Sequence, residues 1–358
     1  MRRLLIGVPA RNEGARIGAL AERIELGTAM LDHDFTSRLA LAYQTSDDDT
    51  LARFVDRPSR IPQLVVQSPH EQVGKGANVK LLMRRALDDG DDYLLLVDAD
   101  LAGYDPRNVT RAVNHATRDG YGIVLPLWSR PRGQANTTNF LACPLVFATH
   151  RARIRQPIAG HMLLHRSLLA QVDLDALPDD FGVDIMLTLR ALEQGLSVGQ
   201  VRLSAPDHPA KPGNSERVMT QVAMAVLGAL AAAPAVDRPD VTWPEHYWDG
   251  WEWPQSNGLE PDHIDVILRH AGSEAELARW LDVGEAGDDA VAEMWCDQLA
   301  DAVRRIRSPY PDLGRIVDDL VCPFFVHAEH RARRKSSVAE LEQYVADLGL
   351  RLAARLHG

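Results

Sequence analysis

Short hydrophobic runs alternate with longer amphipathic segments along the first 200 residues. The strand-like runs are RLLIGVP, RLALAYQT, QLVVQS, YLLLV and YGIVLPLW. Helical spacing of apolar residues occurs near 15–26, 47–55, 76–88 and 106–118. This alternation predicts an α/β fold, with a mostly parallel sheet flanked by helices.

The pattern changes after about residue 236. Residues 237–260 are rich in proline and aromatic side chains, and we expect an ordered connector whose aromatics bury a seam between domains. These aromatics are Trp243, Tyr247, Trp248, Trp251 and Trp253. Amphipathic segments near 261–271, 274–282, 287–307 and 337–356 then predict helices. We therefore expect an α/β domain over 1–236, a connector over 237–260 and a helical region over 261–358.

Composition excludes several classes of protein. The chain has 39 Lys and Arg against 50 Asp and Glu, and a net charge of -11 argues against general binding to nucleic-acid backbones. We expect the basic run HRARRK, 330–335, to be a solvated helix face.

The three cysteines have no metal-site or disulfide spacing, which favours a reducing cytoplasm. The apolar stretch 222–236 is shorter than the roughly 20 residues of a membrane span, so we expect a buried helix and no transmembrane segment.

Two carboxylates, Asp98 and Asp100, directly follow the run YLLLV. If the extended geometry of the strand persists, residues two apart point to the same side, and both carboxylates face one spot. Their mutual repulsion favours a bound cation, and hard divalent ions take oxygen ligands. The alternative is that one Asp caps the next helix while the other is solvated.

The short motif GKG precedes the predicted helix over 76–88. Backbone N–H groups at a helix N-terminus favour an anion, and Lys75 would add a positive charge for phosphate. The full phosphate-loop pattern is absent, so a P-loop is not indicated. GKG and the two carboxylates are both suited to a diphosphate with a divalent metal.

Five motifs in order give the chain a resemblance to a known family. PARNE, GKG, VDAD, QPIAGHMLLHRSLL and FGVDIMLTLRALEQGLSV, spread over residues 3–232, resemble GT-A glycosyltransferases that use nucleotide sugars. The last two motifs resemble the retaining enzymes mannosylglycerate synthase and glucosyl-3-phosphoglycerate synthase. The resemblance implies a GT-A fold with a Rossmann-like sheet, a nucleoside-diphosphate sugar as donor, a small hydroxy acid as acceptor, and Mn²⁺ or Mg²⁺ as cofactor.

The resemblance also implies roles for individual residues. The donor would be bound by Pro9, Ala10, Asn12, Glu13, Lys75, Asp98, Ala99, Gly160 and His161. The catalytic set would be Lys75, Asp100, Gln156 and Asp184. The metal would be held by Asp100, with Asp98 and His208; an imidazole ligand would favour manganese over magnesium. For Asp184 and His208 the alternatives are a helix N-terminal Asp and a turn residue.

The acceptor would lie beside the segment SRPRGQANTTNFLACPL, residues 129–145. The candidate acceptor-binding residues are Arg130, Arg132, Thr137, Thr138 and Asn139; the alternative for the arginines is two solvated loop residues. Where the phosphoglycerate-binding pattern has an arginine, this chain has Asn136. Loss of a bidentate partner disfavours a phosphate, so we expect D-glycerate rather than 3-phosphoglycerate.

A second departure from the family concerns the donor sugar. His161 replaces the usual acidic residue, and a cationic imidazole cannot accept hydroxyl hydrogen bonds as a carboxylate does. A non-catalytic sugar-nucleotide sensor therefore stays open. A nucleotidyltransferase would need a Gly-rich opening, and a haloacid-dehalogenase-type phosphatase would need its DxD motif at the start of the chain. The sequence leaves open whether the C-terminal helices complete the acceptor side or form a homodimer interface.

Overall fold

The structure, a computed structural model, describes seven stretches of the chain. They are residues 1–67, 74–130, 134–205, 214–232, 263–285, 287–334 and 336–357. Arg132, His208 and the predicted connector over 237–260 with its five aromatics lie outside the described residues.

Strands and helices alternate in the first half of the chain, and helices fill the second half. In chain order the elements up to residue 127 are β1 (Arg2–Ala10), α1 (Gly14–Thr28), β2 (Phe35–Tyr43), α2 (Thr50–Val55), β3 (Gln63–Gln67), α3 (Lys75–Asp89), β4 (Tyr93–Leu96), α4 (Arg107–Asp119) and β5 (Ile123–Leu127). There follow a π-helix (Thr137–Ala142), α5 (Cys143–His150), β6 (Met162–His165), α6 (Arg166–Leu169), α7 (Gly182–Glu193), β7 (Val198–Arg202) and α8 (Ser215–Ala232). The remaining helices are α9 (His263–His270), α10 (Glu274–Glu285), α11 (Asp288–Ile306), α12 (Leu313–Arg333) and α13 (Val338–His357).

The strands form a seven-stranded sheet in the order β3-β2-β1-β4-β6-β5-β7. The pairs β1–β2, β1–β4, β2–β3 and β5–β7 are parallel, while β6 is antiparallel to both β4 and β5. The prediction of a mostly parallel sheet is confirmed. The antiparallel β6 was not predicted, because four residues carry too short a pattern to separate a strand from a buried turn.

The centre of the sheet is hydrophobic on both faces. Leu4, Leu5 and Ile6 in β1 have no exposed surface, as expected for a strand covered by helices on both sides. Because β1 and β4 are parallel neighbours, the chain leaves both strands at the same edge of the sheet. The segments PARNE and VDAD therefore lie at neighbouring strand ends, where ligands bind in open α/β sheets.

Two compact units divide the chain. The first comprises residues 1–128 and 158–209 and contains the whole sheet; the second comprises 129–157 and 210–358 and is helical in its described part. In the second unit α8 buries Val222, Val226 and Leu227, which confirms the predicted buried helix. Among the described residues, no helix is both long and apolar enough to cross a membrane.

Helix α12 was missed by the sequence patterns and corrects one prediction. Pro323 lies inside this helix, and an internal proline argues against helix when only the sequence is read. The basic run at its end is not simply a solvated face, because His330 and Arg331 are buried. Their side chains contact the carboxylate of Asp288 at 2.7 and 3.2 Å. The carboxylate neutralises a positive charge that would otherwise be costly to bury.

Two glycines in helices of the first unit give a matched test of backbone packing. A Cβ at Gly76 would lie 2.0 Å from the carbonyl oxygen of Pro178, whereas a Cβ at Gly18 would lie 3.6 Å from the nearest atom, the carbonyl oxygen of Arg53. We expect Gly76→Ala to lower the free energy of unfolding by about 1–3 kcal/mol, because two backbone segments must separate. Gly18→Ala should raise it by about 0.5–1 kcal/mol through helix propensity. Urea unfolding measures both, and equal midpoints for Gly76→Ala and the unmodified chain would contradict this packing.

Candidate active site

A lysine between two carboxylates lies at the edge where β1 and β4 end. The Nζ atom of Lys75 is 2.9 Å from Oδ1 of Asp98 and 2.7 Å from Oδ2 of Asp184. The exposed side-chain fractions are 13% for Lys75, 24% for Asp98 and 6% for Asp184. The structure thus brings together three predicted site residues that come from the starts of α3 and α7 and the loop after β4.

Burial and charge shift the pKa values of two members of this cluster in the same direction. Burial raises the pKa of Asp184 to about 6, against the opposing effect of Lys75. Burial also acts to lower the pKa of Lys75, but the carboxylates of Asp184 and Asp98 outweigh it and raise this pKa above its ordinary value. Lys75 is therefore a permanent cation in the site. A buried ammonium with an adjacent carboxylate of raised pKa is an arrangement common in active sites.

The glycines of GKG position Lys75 by letting two backbone segments meet. Gly74 has a φ of 148°, and a Cβ there would lie 2.1 Å from the carbonyl oxygen of Asp179. The amide of Ala77 donates to the same oxygen at 3.1 Å. From the other side, Nε2 of Gln44 donates to the carbonyl oxygen of Gly74 at 2.9 Å. One amide of the first helical turn thus already has a protein partner, and the motif holds α3 against the segment before α7.

The loop after β4 is not extended through Asp98 and Asp100, although the sequence analysis considered that geometry for these two residues. The strand ends at Leu96, and Ala99 and Asp100 form a turn, so the strand alternation does not continue through both carboxylates. Ala99 is buried, with 4% of its surface exposed. A Cβ at Gly160 would lie 1.7 Å from Oδ2 of Asp98. Gly160 therefore leaves the space that the Asp98 carboxylate occupies.

His161 lies beneath this loop in the core of the first unit. It is 1% exposed, its Nε2 atom is 2.7 Å from the hydroxyl of Tyr104, and its ring contacts the edge of Trp128. Burial lowers the pKa of His161 to about 4 and raises that of Tyr104, so the hydroxyl donates to a neutral imidazole. The imidazole of His161 is therefore neutral and packs in the core, whereas the sequence analysis considered a cationic imidazole at this position.

The loop after β1 is fixed by the loop after β2. Asn12 has a φ of 56°, its Oδ1 accepts from the amide of Asp47 at 2.8 Å, and its own amide donates to Oγ of Ser46 at 3.0 Å. Ala10 and Glu13 are buried, at 3% and 6% exposure. Pro9, in β1, is half-buried.

Asp48 was not singled out from the sequence, although it organises the same loop. Its carboxylate accepts from the amide of Gly14 at 2.8 Å and from that of Thr50 at 3.0 Å. The hydrogen bond from the Thr50 hydroxyl is the main cause that lowers the pKa of Asp48. The signal available in the sequence was the run of three aspartates, 47–49, a few residues after a strand.

The predicted acceptor residues belong to the second unit. Thr137, Thr138 and Asn139 start the π-helix and are buried, at 8%, 9% and 4% exposure. Gln156 is buried at 6%, whereas Arg130 is half-buried. The contacts of these side chains with an acceptor stay a prediction.

The candidate metal ligands are only partly within the described residues. Among these residues, no group of three or more His, Cys, Asp or Glu side chains is arranged to hold a metal ion. Asp98 and Asp100 supply carboxylate oxygens, the ligand type that Mg²⁺ and Mn²⁺ prefer. These ions usually keep water or substrate phosphate in their other positions, so the chemistry of the donor set fits.

A double-mutant cycle tests the coupling between Lys75 and Asp184. We expect Lys75→Met to destabilise the protein by about 3 kcal/mol, because two neighbouring carboxylates lose their cation. Asp184→Asn combined with Lys75→Met should cost less than the sum of the single changes. Urea unfolding measures the cycle, with the exposed pair Arg53 and Asp49 as a control that should show much weaker coupling. If the changes in the free energy of unfolding caused by Lys75→Met and Asp184→Asn simply add in the double variant, the buried contact is refuted.

The neutral state of His161 predicts a loss of stability in acid. The unfolded chain binds a proton on this imidazole below its ordinary pKa of about 6.5, whereas the folded protein does so only near 4. The neutral imidazole therefore contributes up to about 3 kcal/mol to the free energy of unfolding. This contribution is fully present above pH 6.5 and is lost as the pH falls towards 4. His161→Gln should flatten this dependence in urea unfolding at pH 7, 6, 5 and 4.5. His33→Gln controls for removal of an exposed imidazole, and an unchanged slope in His161→Gln would contradict the assignment.

Part of the chain matches a model of a known protein family. Residues 63–225 match the family model described as mannosylglycerate synthase, GT domain. No curated protein sequence matches the chain. The matched residues include Lys75, both aspartates of the loop after β4, and Asp184.

Several solved structures share the fold. Glucosyl-3-phosphoglycerate synthase from Mycobacterium tuberculosis, in complex with Mn²⁺, UDP-glucose and phosphoglyceric acid, has a TM-score of 0.54 and 23% identity over 63% of this chain and 79% of that chain. The same enzyme with Mn²⁺, UDP and glucosyl-3-phosphoglycerate has a TM-score of 0.53 and 21% identity over 66% and 81%. A mycobacterial protein has a TM-score of 0.53 and 23% identity over 66% and 76%. The solved structures thus show that the chain has a GT-A fold, and residues 63–225 are similar to the glycosyltransferase domain of mannosylglycerate synthase.

Proposed function

We propose that this protein is a metal-dependent retaining hexosyltransferase that moves glucose or mannose from a nucleoside-diphosphate sugar to the hydroxyl of a small hydroxy acid. The observation that carries the proposal is the buried Lys75 ammonium between Asp98 and Asp184, at the strand edge where GT-A folds bind their donor. A permanent cation beside the loop with Asp98 and Asp100 is suited to a diphosphate. The match to a glycosyltransferase family model supports the same reaction class.

The donor is UDP-glucose or GDP-mannose. The M. tuberculosis enzyme of similar fold was crystallised with UDP-glucose, whereas the matching family model is described for mannosylglycerate synthase. Pro9, Ala10, Asn12 and Glu13 would line the nucleoside pocket, since the first two end β1 and the other two follow it, at the same edge as Lys75. The exchange of hydrogen bonds between Asn12 and Asp47 prepares this loop before the donor binds.

Asp100 and Asp98 would hold a divalent ion, and His208 would be its third ligand. The Mn²⁺ in the structures of the M. tuberculosis enzyme supports manganese as the cation. When bound, such an ion neutralises negative charge on a nucleoside diphosphate. The space that Gly160 leaves at the Asp98 carboxylate keeps this oxygen ligand beside Lys75.

The protein's own residues would act mainly by electrostatics and orientation. Lys75 stabilises the negative charge that develops on the departing diphosphate, the largest demand of glycosyl transfer. Asp184 orients Lys75 and accepts hydrogen bonds from sugar hydroxyls, and Gln156 contributes from the QPIAG segment. The acceptor hydroxyl attacks from the side of the leaving group, and a β-phosphate oxygen takes its proton. No acid and nucleophile pair of the glycosidase kind is assigned.

The acceptor is D-glycerate, with 3-phosphoglycerate as the alternative. Arg130 and Arg132 would bind the carboxylate by paired N–H bonds. Asn136 replaces an arginine and removes a partner for phosphate. The alternative draws support from the phosphoglyceric acid bound in the M. tuberculosis enzyme.

A matrix of donors and acceptors tests the proposed function. UDP-glucose and GDP-mannose are each combined with D-glycerate, 3-phosphoglycerate, lactate and glycolate, with and without Mn²⁺, and released nucleoside diphosphate is measured. We expect metal-dependent release with one donor and D-glycerate, and at least about a 1000-fold loss for Asp100→Ala, because the charge on the leaving diphosphate loses its cation. Asp119→Ala, an exposed change at the end of α4, is the control and should retain full turnover.

Three outcomes would contradict the proposal. Release of pyrophosphate instead of nucleoside diphosphate would indicate a nucleotidyltransferase. Phosphate release without a donor would indicate a phosphatase. Donor binding without any release would indicate a sugar-nucleotide sensor. A strong preference for 3-phosphoglycerate would refute only the choice of acceptor.

A further inference from the structure

A second lysine of α3 contacts the segment before α7, residues 177–181. The ammonium of Lys80 forms an ion pair with the carboxylate of Asp179, and its Nζ atom donates to the carbonyl oxygen of Leu177 at 3.2 Å. Only 8% of the Lys80 side chain is exposed. Because a buried ammonium is costly unless it is paired, these two contacts hold Lys80 and the segment together in one arrangement.

Two lysine–carboxylate contacts thus join α3 to the same short part of the chain. Lys80 contacts Asp179 before α7, and Lys75 contacts Asp184 in the first turn of α7. The turn between the two aspartates is closed by the first amide of α7, which donates to Oδ1 of Asp180 at 2.8 Å. A shift of the segment at Asp179 would therefore be transmitted to Asp184.

A backbone hydrogen bond alone restrains this segment less well. The amide of Ala77 donates to the carbonyl oxygen of Asp179 at 3.1 Å, which fixes the segment at one point and permits rotation about it. Lys80 adds one contact at the carbonyl oxygen of Leu177 and another at the carboxylate of Asp179. The three contacts together restrict that rotation.

We infer that Lys80 is a positioning residue of the active site, which holds Asp184, and through it the Lys75 ammonium, in place for a donor diphosphate. The part of this inference that concerns the donor rests on the proposed function, in which Lys75 contacts the diphosphate. A long, flexible lysine side chain keeps a precise position only when its neighbours are fixed. Lys80 acts through Asp179 and Asp184 rather than through a contact of its own with the donor.

The double-mutant cycle of Lys75 and Asp184 measures this positioning without any donor. In urea unfolding, we expect Lys80→Met to reduce the coupling free energy between these two residues to about half or less, because their side chains no longer meet in one geometry. Asp179→Ala should have the same effect, since it removes the carboxylate partner of Lys80, and it decides the question if Lys80→Met does not fold. A merely structural Lys80 would lower the stability of every variant equally and leave the coupling unchanged.

Binding of UDP and GDP, each in the presence of Mn²⁺, tests the consequence for the site. In isothermal titration calorimetry, Lys80→Met and Asp179→Ala should each weaken binding of the preferred nucleotide about tenfold, because a misplaced ammonium makes a poorer charge-assisted hydrogen bond. In the Lys75→Met background, the same changes should alter this affinity by less than about twofold, since the group that they position is absent.

An exposed ion pair of the same helix is the matched control. Arg84, also in α3, pairs with Asp175, and the exposed side-chain fractions are 44% and 86%. Arg84→Met should leave the coupling of Lys75 with Asp184 unchanged and the nucleotide affinity within about twofold, because exposed ion pairs contribute little. Thermal unfolding checks that each variant is folded.

Failure of the positioning role and failure of the proposed function are distinguishable. An unchanged coupling in Lys80→Met and Asp179→Ala, or an equal loss of coupling in Arg84→Met, would overturn the positioning role. Equal effects of Lys80→Met on nucleotide affinity with and without Lys75 would overturn its action through Lys75. If the coupling falls as expected but the unmodified protein binds neither UDP nor GDP, the positioning of Asp184 by Lys80 stands and the proposed function fails.

Discussion

The ammonium of Lys75, held between the carboxylates of Asp98 and Asp184, is the interaction on which the candidate site depends. Both carboxylates lie beside this one ammonium, and without a cation between them their like charges would repel each other. Lys75 supplies that charge within the protein. Under the proposed function, a dianionic diphosphate shares or replaces the carboxylates as partners of the ammonium, and no new positive charge has to be buried.

Much of the surrounding backbone can be understood as support for this cluster. Gly74 and Gly76 have no Cβ that would separate α3 from the carbonyl oxygens of Asp179 and Pro178. Gly160 provides equivalent space at Asp98. A glycine at each of these positions costs conformational entropy on folding, and the cost is offset by close approach of segments that carry the charged residues. The sequence motif GKG therefore meets a packing requirement, in addition to the anion binding predicted for this helix end.

The sequence predicted the strands and helices of the first unit better than the contacts between its side chains. The first five strands and four helices follow from periodicity, because each has a long or sharply bounded hydrophobic pattern. Lys75, Asp98 and Asp184 were identified singly, but their contact was not, since 109 residues separate Lys75 from Asp184. The turn at Asp100 was missed because strand alternation says nothing about where a strand ends. Helix α12 was missed because Pro323 interrupts the expected pattern, although tertiary packing tolerates it there.

The second unit shows why substitution in a binding segment cannot be interpreted from one residue. Asn136 alone indicates only that an arginine is missing. Its contact with His263, 127 residues away in sequence, fixes which end of the amide is held, and Glu329 fixes the tautomer of His263. The position of the Asn136 side chain is therefore set by the C-terminal helices as well as by its own segment.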